Sequence, residues 1–274
     1  MGVLRVVATP IGNMEDITLR ALRVLKESDL IAAEDTRRTR KLLSHYGIST
    51  PLTSYFEHNE RAKAPRIVKK LKEGSDVALV SDAGTPGISD PGYRLVRLAL
   101  EEGVRVEAVP GPSALTAVLS VAGLPIDEFT FKGFVPSAAG RRKKFLLGLR
   151  GTGSTVVLYE SARRLKATLA EIGSVLGDVE VVVAREMTKL HEELVRGRAE
   201  EVAGLMKGRT LKGEVTLVVR TEKVEIEAED AAGEIRKLLD EGFTLKDAVK
   251  AVTAGSGLPK SVVYKEALGV KKGG

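Results

Sequence analysis

The chain has 274 residues, 43% of them hydrophobic and 29% charged, with a formal net charge of +6. That length accommodates two domains of ordinary size, each with its own core, and the balance is that of a globular protein. The absence of cysteine removes disulfides, thiolate metal sites and cysteine nucleophiles from consideration.

The three histidines, His45, His58 and His191, stand far apart with no metal-ligand spacing, so no metal is expected. No run approaches 18 apolar residues, and the N-terminus enters a strand-like run directly, which predicts a cytoplasmic protein and no membrane partner. Charge is uneven: residues 1–221 carry +7, residues 222–242 carry −5 and residues 243–274 carry +4. A basic body and basic tail around an acidic stretch suit a polyanionic partner, as a solvated surface also would.

The run Leu4 to Ala8 reads as a strand ending in Thr9-Pro10-Ile11-Gly12-Asn13. Asp16 is expected to cap a helix with apolar positions Leu19, Leu22 and Leu25. Leu30 to Ala33 reads as a buried strand that runs into Glu34-Asp35-Thr36-Arg37, and the next helix closes at Tyr46-Gly47. A helix over Glu60 to Glu73 stops at Gly74, and Val77 to Val80 is again a buried strand.

The twelve residues Ser81 to Gly92 after that strand hold three glycines, two prolines, Asp82, Asp90, Ser81, Ser89 and Thr85. Such a loop is long for a connector, stiff, and open to close approach of a ligand's backbone partners, so it reads as a binding loop. A helix to Glu102 follows, then the strand Val104 to Val109, the loop Pro110-Gly111-Pro112, and a small-residue helix that Ser113 is placed to cap. Strands alternating with helices predict a mainly parallel sheet, with the loops near residues 10, 34, 82 and 110 gathered on the edge formed by the strands' C-terminal ends.

The pattern changes at Gly123-Leu124-Pro125-Ile126-Asp127. Strands are expected at Phe129 to Val135, Thr155 to Tyr159, Val179 to Ala184 and Glu214 to Val219, and an amphipathic helix opens at Arg141-Arg142-Lys143-Lys144. Glu222 to Asp230 reads as an acidic linker. Beyond it come helices over Ala231 to Leu239, Thr244 to Thr253 and Pro259 to Leu268, with Thr244 and Asp247 in a capping-box pattern. The last two resemble a helix-turn-helix, or equally a helical cap docked on the body. The expected division is 1–112, 113–222 and 223–274.

No G-x-G-x-x-G junction, phosphate-binding lysine loop or nucleophile elbow is present, which counts against ordinary nucleotide binding and serine hydrolysis. Six stretches do carry a resemblance. Thr9 to Asn13, Ala33 to Arg37, Ser81 to Gly92, Pro110 to Ala114, Tyr159-Glu160-Ser161 with Arg164, and Ala184 to Lys189 together resemble the ribosomal-RNA branch of the tetrapyrrole-methylase superfamily, over residues 4 to 268.

The resemblance implies a two-domain α/β fold with S-adenosyl-L-methionine bound in a cleft between the domains, a homodimer, and a small C-terminal helical, helix-turn-helix-like module that binds RNA. It implies 2′-O-methylation of a cytidine ribose in the decoding region of 16S ribosomal RNA, with free RNA and the assembled 30S subunit both open as the acceptor. Gly84-Thr85-Pro86 stands where tetrapyrrole-acting relatives carry Gly-Asp-Pro, which favours the RNA branch.

A chain without cysteine also lacks the nucleophile that C5 methylation of a pyrimidine generally needs. By matching position the cofactor contacts are Pro10, Asp82, Ala83, Gly84, Thr85, Ile88, Ser113, Ala114, Tyr159 and Glu214. Glu160, Arg185 and Lys189 are the catalytic candidates, with Glu160 or uncharged Lys189 as base and Arg185 on a phosphate; a structural ion-pair network is the competing reading. Arg37, Arg38, Arg40, Lys41, Arg141, Arg142, Lys143, Lys144, Lys260 and Lys265 are candidate RNA contacts. The alternatives are a methylase of the same superfamily with a tetrapyrrole or protein acceptor, and a non-catalytic RNA-binding assembly protein.

Overall fold

Short runs of apolar residues, each closed by a Gly-, Pro- or Asp-containing loop, pair into two separate five-stranded sheets in the computed structural model, which describes residues 1–223 and 230–272. The chain divides into two compact units, Met1–Ala117 with Met187–His191, and Val118–Glu186 with Glu192–Gly274.

In the first unit the strands are β1 (Val3–Val7), β2 (Leu30–Ala33), β3 (Leu52–Ser54), β4 (Val77–Val80) and β5 (Arg105–Val109). They pair in the order β3-β2-β4-β1-β5, all parallel. Helices α1 (Leu19–Glu27), α2 (Thr36–His45), α3 (Glu60–Lys72) and α4 (Tyr93–Glu101) connect them, so both faces are covered and β4 is buried at all four positions. One core layer contains Leu4, Leu71, Leu79 and Leu95, the other Val7, Leu25, Ile31 and Val80.

Two local expectations need correction. Asp16 ends a short 3-10 turn (Met14–Asp16), and the cap of α1 is Thr18, whose hydroxyl accepts the Ala21 N–H at 3.1 Å. The inward face of α1 is Ala21, Val24 and Leu25, while Leu19 is 86% exposed. A strict three-residue spacing drifts around a helix of 3.6 residues per turn, so Leu19 and Leu25 cannot share one stripe.

Helix α5 (Ala114–Ala122) spans the division between the units. The second unit's strands are β6 (Phe129–Phe134), β7 (Thr155–Ser161), β8 (Glu180–Arg185), β9 (Glu193–Arg198) and β10 (Glu214–Arg220). Their order is β6-β7-β10-β8-β9, with β6 parallel to β7 and the other pairs antiparallel. Helices α6 (Ala139–Leu147), α7 (Leu165–Leu176) and α8 (Ala199–Met206) accompany this sheet.

The C-terminal helices are α9 (Ala231–Asp240), α10 (Leu245–Ser256) and α11 (Lys260–Lys272). Their buried residues, Ile235, Leu238, Val249, Val252 and Val263, belong to the same core as Leu147, Leu158 and Leu217. The module is therefore docked on its own unit: Arg150 pairs with Glu234 at 2.8 Å, and Lys144 with Asp247 at 2.5 Å. Thr244 caps α10 as expected, its hydroxyl accepting the Asp247 N–H at 3.2 Å and donating to the Asp247 carboxylate at 2.8 Å. Helix α10 runs on through Ser256, and the turn to α11 is made at Gly257, with φ at +69°. Most of the expected acidic linker, residues 224–229, lies outside the described residues.

Candidate active site

Parallel strands deliver their following loops to one sheet edge, and in the first unit three of those loops meet. Thr9 and Gly84 exchange both backbone hydrogen bonds at 2.9 Å, tying the loop after β1 to the loop after β4. The Thr9 hydroxyl donates to the Ser81 carbonyl at 3.3 Å. A Cβ on Gly84 would lie 3.5 Å from Ile11 and 3.8 Å from the Pro112 carbonyl, so the loop after β5 reaches the same place. Gly84 has φ +77°, which an L side chain rarely adopts, and this conformation explains a glycine there.

The proposed contacts Pro10, Asp82, Ala83, Gly84, Thr85, Ser113 and Ala114 thus fall on three loops and one helix start, with Ile88 39% exposed at the outer side. The segment Met187–His191 belongs to this unit too. The Asn13 N–H donates to the Thr188 hydroxyl at 3.1 Å, and a Cβ on Gly12 would collide with Lys189 Cγ at 2.5 Å and Thr188 Oγ1 at 2.7 Å. Lys189 therefore lies against the first loop. Among the described residues, the three non-glycine residues with positive φ, Ser89, Glu186 and Thr188, all fall in the motif stretches, and such backbone cost is concentrated at functional sites.

A charged network joins the loops after β2 and β4. Asp82 accepts the Asp35 N–H on Oδ1 at 3.0 Å and pairs with Arg38 through Oδ2 at 3.3 Å. Its own N–H donates to Glu34 Oε2 at 3.2 Å. Asp35 caps α2 and is gripped by Arg37, whose side-chain and backbone hydrogen bonds hold the carboxyl far below its usual range. Burial, only partly offset by the Asp82 N–H, pushes Glu34 up from the ordinary glutamate value.

The second unit holds the remaining candidates. Tyr159 stacks edge-on against Phe131 and Phe134, with ring centroids 4.9 and 5.4 Å away. Glu160 is 2% exposed inside β7 rather than on a loop. Its Oε2 accepts from the Thr168 hydroxyl at 2.7 Å, its Oε1 from the Ser161 N–H at 2.7 Å, and Arg164 forms an ion pair with Oε1. With both oxygens engaged, the arrangement is that of a structural network.

Arg185 donates to Glu193 at 2.9 Å and to the Lys212 carbonyl at 3.2 Å, and Arg209 shares Glu193 at 2.7 Å. Burial would raise the Glu193 carboxyl, but the hydrogen bonds from Arg209 and Arg185 outweigh it and hold it below the usual value. Glu214 is exposed at the start of β10, where its N–H donates to Glu186 at 3.0 Å.

The candidate RNA contacts separate by partner. Arg142 is 6% exposed and forks onto Glu171 with two 2.7 Å bonds, so its place is inside the fold and not on a phosphate. Lys144 holds Asp247, Arg37 holds Asp35 and Arg38 holds Asp82. Arg40, Lys41, Arg141, Lys143, Lys260 and Lys265 are exposed. Thr168, Glu193 and Arg209 were not among the expected residues; their partners lie 8 to 16 positions away and no local pattern marks them.

Residues 3–203 match the family model of the tetrapyrrole (corrin/porphyrin) methylases. Ribosomal RNA small subunit methyltransferase I of Halalkalibacterium halodurans is 44% identical over 270 residues, 96% of this chain and 93% of that protein. The protein of the same name from Synechocystis is 40% identical over the whole of both chains. Among solved structures, the methyltransferase CobJ superposes with a TM-score of 0.59 at 17% identity, over 81% of this chain and 95% of that one. Diphthine synthase gives a TM-score of 0.59 at 15% identity, over 96% and 99%. The shared fold, the family match and the full-length identity converge: the chain belongs to the tetrapyrrole methylase family, within its group of ribosomal RNA small subunit methyltransferase I proteins.

Proposed function

We propose that the chain is an S-adenosyl-L-methionine-dependent methyltransferase of small-subunit ribosomal RNA, and that its acceptor is the 2′-hydroxyl of a cytidine in the decoding region of 16S RNA. The observation that carries the cofactor assignment is the three-loop convergence at Thr9, Gly84 and Pro112. Main-chain groups brought together on small residues suit a zwitterionic methionine moiety and a ribose, and Ile88 offers apolar surface for an adenine. Pro10, Asp82, Ala83, Thr85, Ser113 and Ala114 would hold the cofactor, with Tyr159 and Glu214 added on motif correspondence. The solved uroporphyrin-III C-methyltransferase in complex with S-adenosyl homocysteine shares this fold at 21% identity.

The cofactor supplies an electrophilic methyl group whose transfer needs alignment above all. Positioning can lower such a barrier by about 7 to 11 kcal/mol. Exposed Arg40, Lys41, Arg141, Lys143, Lys260 and Lys265 provide the sequence-independent hold on RNA phosphates. The family relatives act as named on ribosomal RNA, which is why an RNA acceptor is preferred to a tetrapyrrole. A homodimer and a cytoplasmic location complete this reading.

The test is transfer of labelled methyl to purified 30S subunits lacking the modification. Label at a cytidine 2′-oxygen in the decoding region is expected. Cofactor binding with no label on 30S subunits or free 16S RNA would reject the RNA assignment.

A further inference from the structure

We infer that Glu34 is the carboxylate that takes the proton from the attacking ribose hydroxyl, an inference that rests on the proposed RNA ribose methylation and deepens it. Three acidic side chains join the loops after β2 and β4, Glu34, Asp35 and Asp82, and they sort by what occupies their oxygens. Asp82 has Oδ1 on the Asp35 N–H and Oδ2 on Arg38. Asp35 has Oδ1 on the Arg37 N–H and Nε, and Oδ2 on Arg37 Nη2. Of these three, Glu34 is the one held at a single oxygen, Oε2, by the Asp82 N–H at 3.2 Å, which leaves Oε1 available. The residue is half-buried at the C-terminal end of β2, one strand over from the loop that begins at Ser81.

That anchoring matters chemically. A base must be oriented as well as accessible, and the Asp82 N–H orients Glu34 from within the proposed cofactor loop itself. Asp82 and Asp35 face Glu34 as like charges and Arg38 as the opposing one, and burial outweighs the rest in pushing the carboxyl up toward working pH. By contrast, Glu160 has no idle oxygen.

In the step, the ribose O2′ forms a bond to the sulfonium methyl carbon, and the carbon–sulfur bond breaks with its electron pair left on sulfur. The O2′ proton passes to Glu34 Oε1 and then to water. The neutral sulfide and the protonated carboxyl balance the charge of the sulfonium and the carboxylate.

The experiment uses the full-length protein, labelled cofactor and unmodified 30S subunits, with Glu34→Gln and Glu34→Asp. Glu34→Gln is expected to lower kcat by about 10²- to 10⁴-fold with cofactor Kd changed by less than about twofold. The wild type is expected to lose log kcat toward acid pH, that limb should vanish in Glu34→Gln, and Glu34→Asp should recover part of the rate. Glu34→Gln within about threefold of wild-type kcat, with the acid limb intact, would overturn the inference. Loss of kcat together with cofactor binding would also overturn it, since Glu34 would then act only by bracing the Asp82 loop. A wild type that transfers no label to 30S subunits or 16S RNA would instead fail the underlying functional reading, whatever the variants do.

Discussion

Replacing Glu160 by Gln separates a structural carboxylate from a chemical one, because the substitution keeps the shape while removing the charge and one acceptor oxygen. The side chain is 2% exposed and receives the Thr168 hydroxyl and the Ser161 N–H at 2.7 Å each, besides the Arg164 ion pair. A hydrogen bond to a charged group contributes about 1.5–3 kcal/mol and a neutral one about 0.5–1.5, so two bonds lose roughly 2–3 kcal/mol between them. Arg164 is 28% exposed, and its pairing adds at most about 1 kcal/mol.

The expected loss is therefore about 2–4 kcal/mol, or a Tm lowered by roughly 4–16 °C for a domain of this size. Thr168→Val should cost less, and the double variant should fall short of additivity because the two side chains share one bond. Thermal denaturation followed by circular dichroism measures the first quantity, and methyl transfer well below the new Tm measures the second, which should stay near the wild-type rate. An unchanged Tm with kcat down about 100-fold would refute the structural assignment and return Glu160 to the role of base.

Three further outcomes follow from the geometry. Gly12→Ala should weaken cofactor binding and lower Tm, since its Cβ would sit 2.9 Å from the Met187 carbonyl as well as against Lys189 and Thr188; isothermal titration and a melting curve check it. Arg142→Ala should destabilise the fold by about 3–5 kcal/mol by leaving the Glu171 carboxylate without its fork, with no specific loss of RNA affinity in a salt titration. The Asp247 carboxyl is held below its usual 3.8 chiefly by Lys144, against burial, with Thr244 assisting. A lowered folded value means stability present above pH 3.8 and lost as pH falls through the folded value, so Asp247→Asn should reduce Tm at neutral pH and flatten its acid dependence below pH 4.

The parallel sheet was legible because its strands are buried on both faces and read as apolar runs such as Leu30–Ala33 and Val77–Val80. Strands β3 and β9 escaped notice because neither is an apolar run: β3 is only Leu52-Thr53-Ser54, and β9 interleaves Glu193, Arg196 and Arg198 with a glycine. Leu52-Thr53-Ser54 becomes a strand only through its parallel register with Ile31-Ala32-Ala33. The docking of the C-terminal helices was equally hidden, since Arg150 reaches Glu234 and Lys144 reaches Asp247 across about a hundred positions of chain or nearly so.

The loops that form the candidate site were marked by Gly, Pro and Asp, but the roles within them were not, because a carboxylate's function depends on what fills its oxygens. Glu34 and Glu160 each follow an apolar run and precede a short polar residue, so their sequence contexts look alike. In the fold, Glu160 sits inside β7, and α7 brings Thr168 onto it from eight positions away. Glu34 sits just past β2, where the loop after the adjacent strand β4 offers a single backbone N–H, that of Asp82. A glutamate held by a hydroxyl, an amide and a guanidinium stabilises structure at the cost of reactivity; one held by an amide alone keeps a lone pair to spend. The difference is one of strand length and neighbours, two quantities that strand pairing decides and local composition does not.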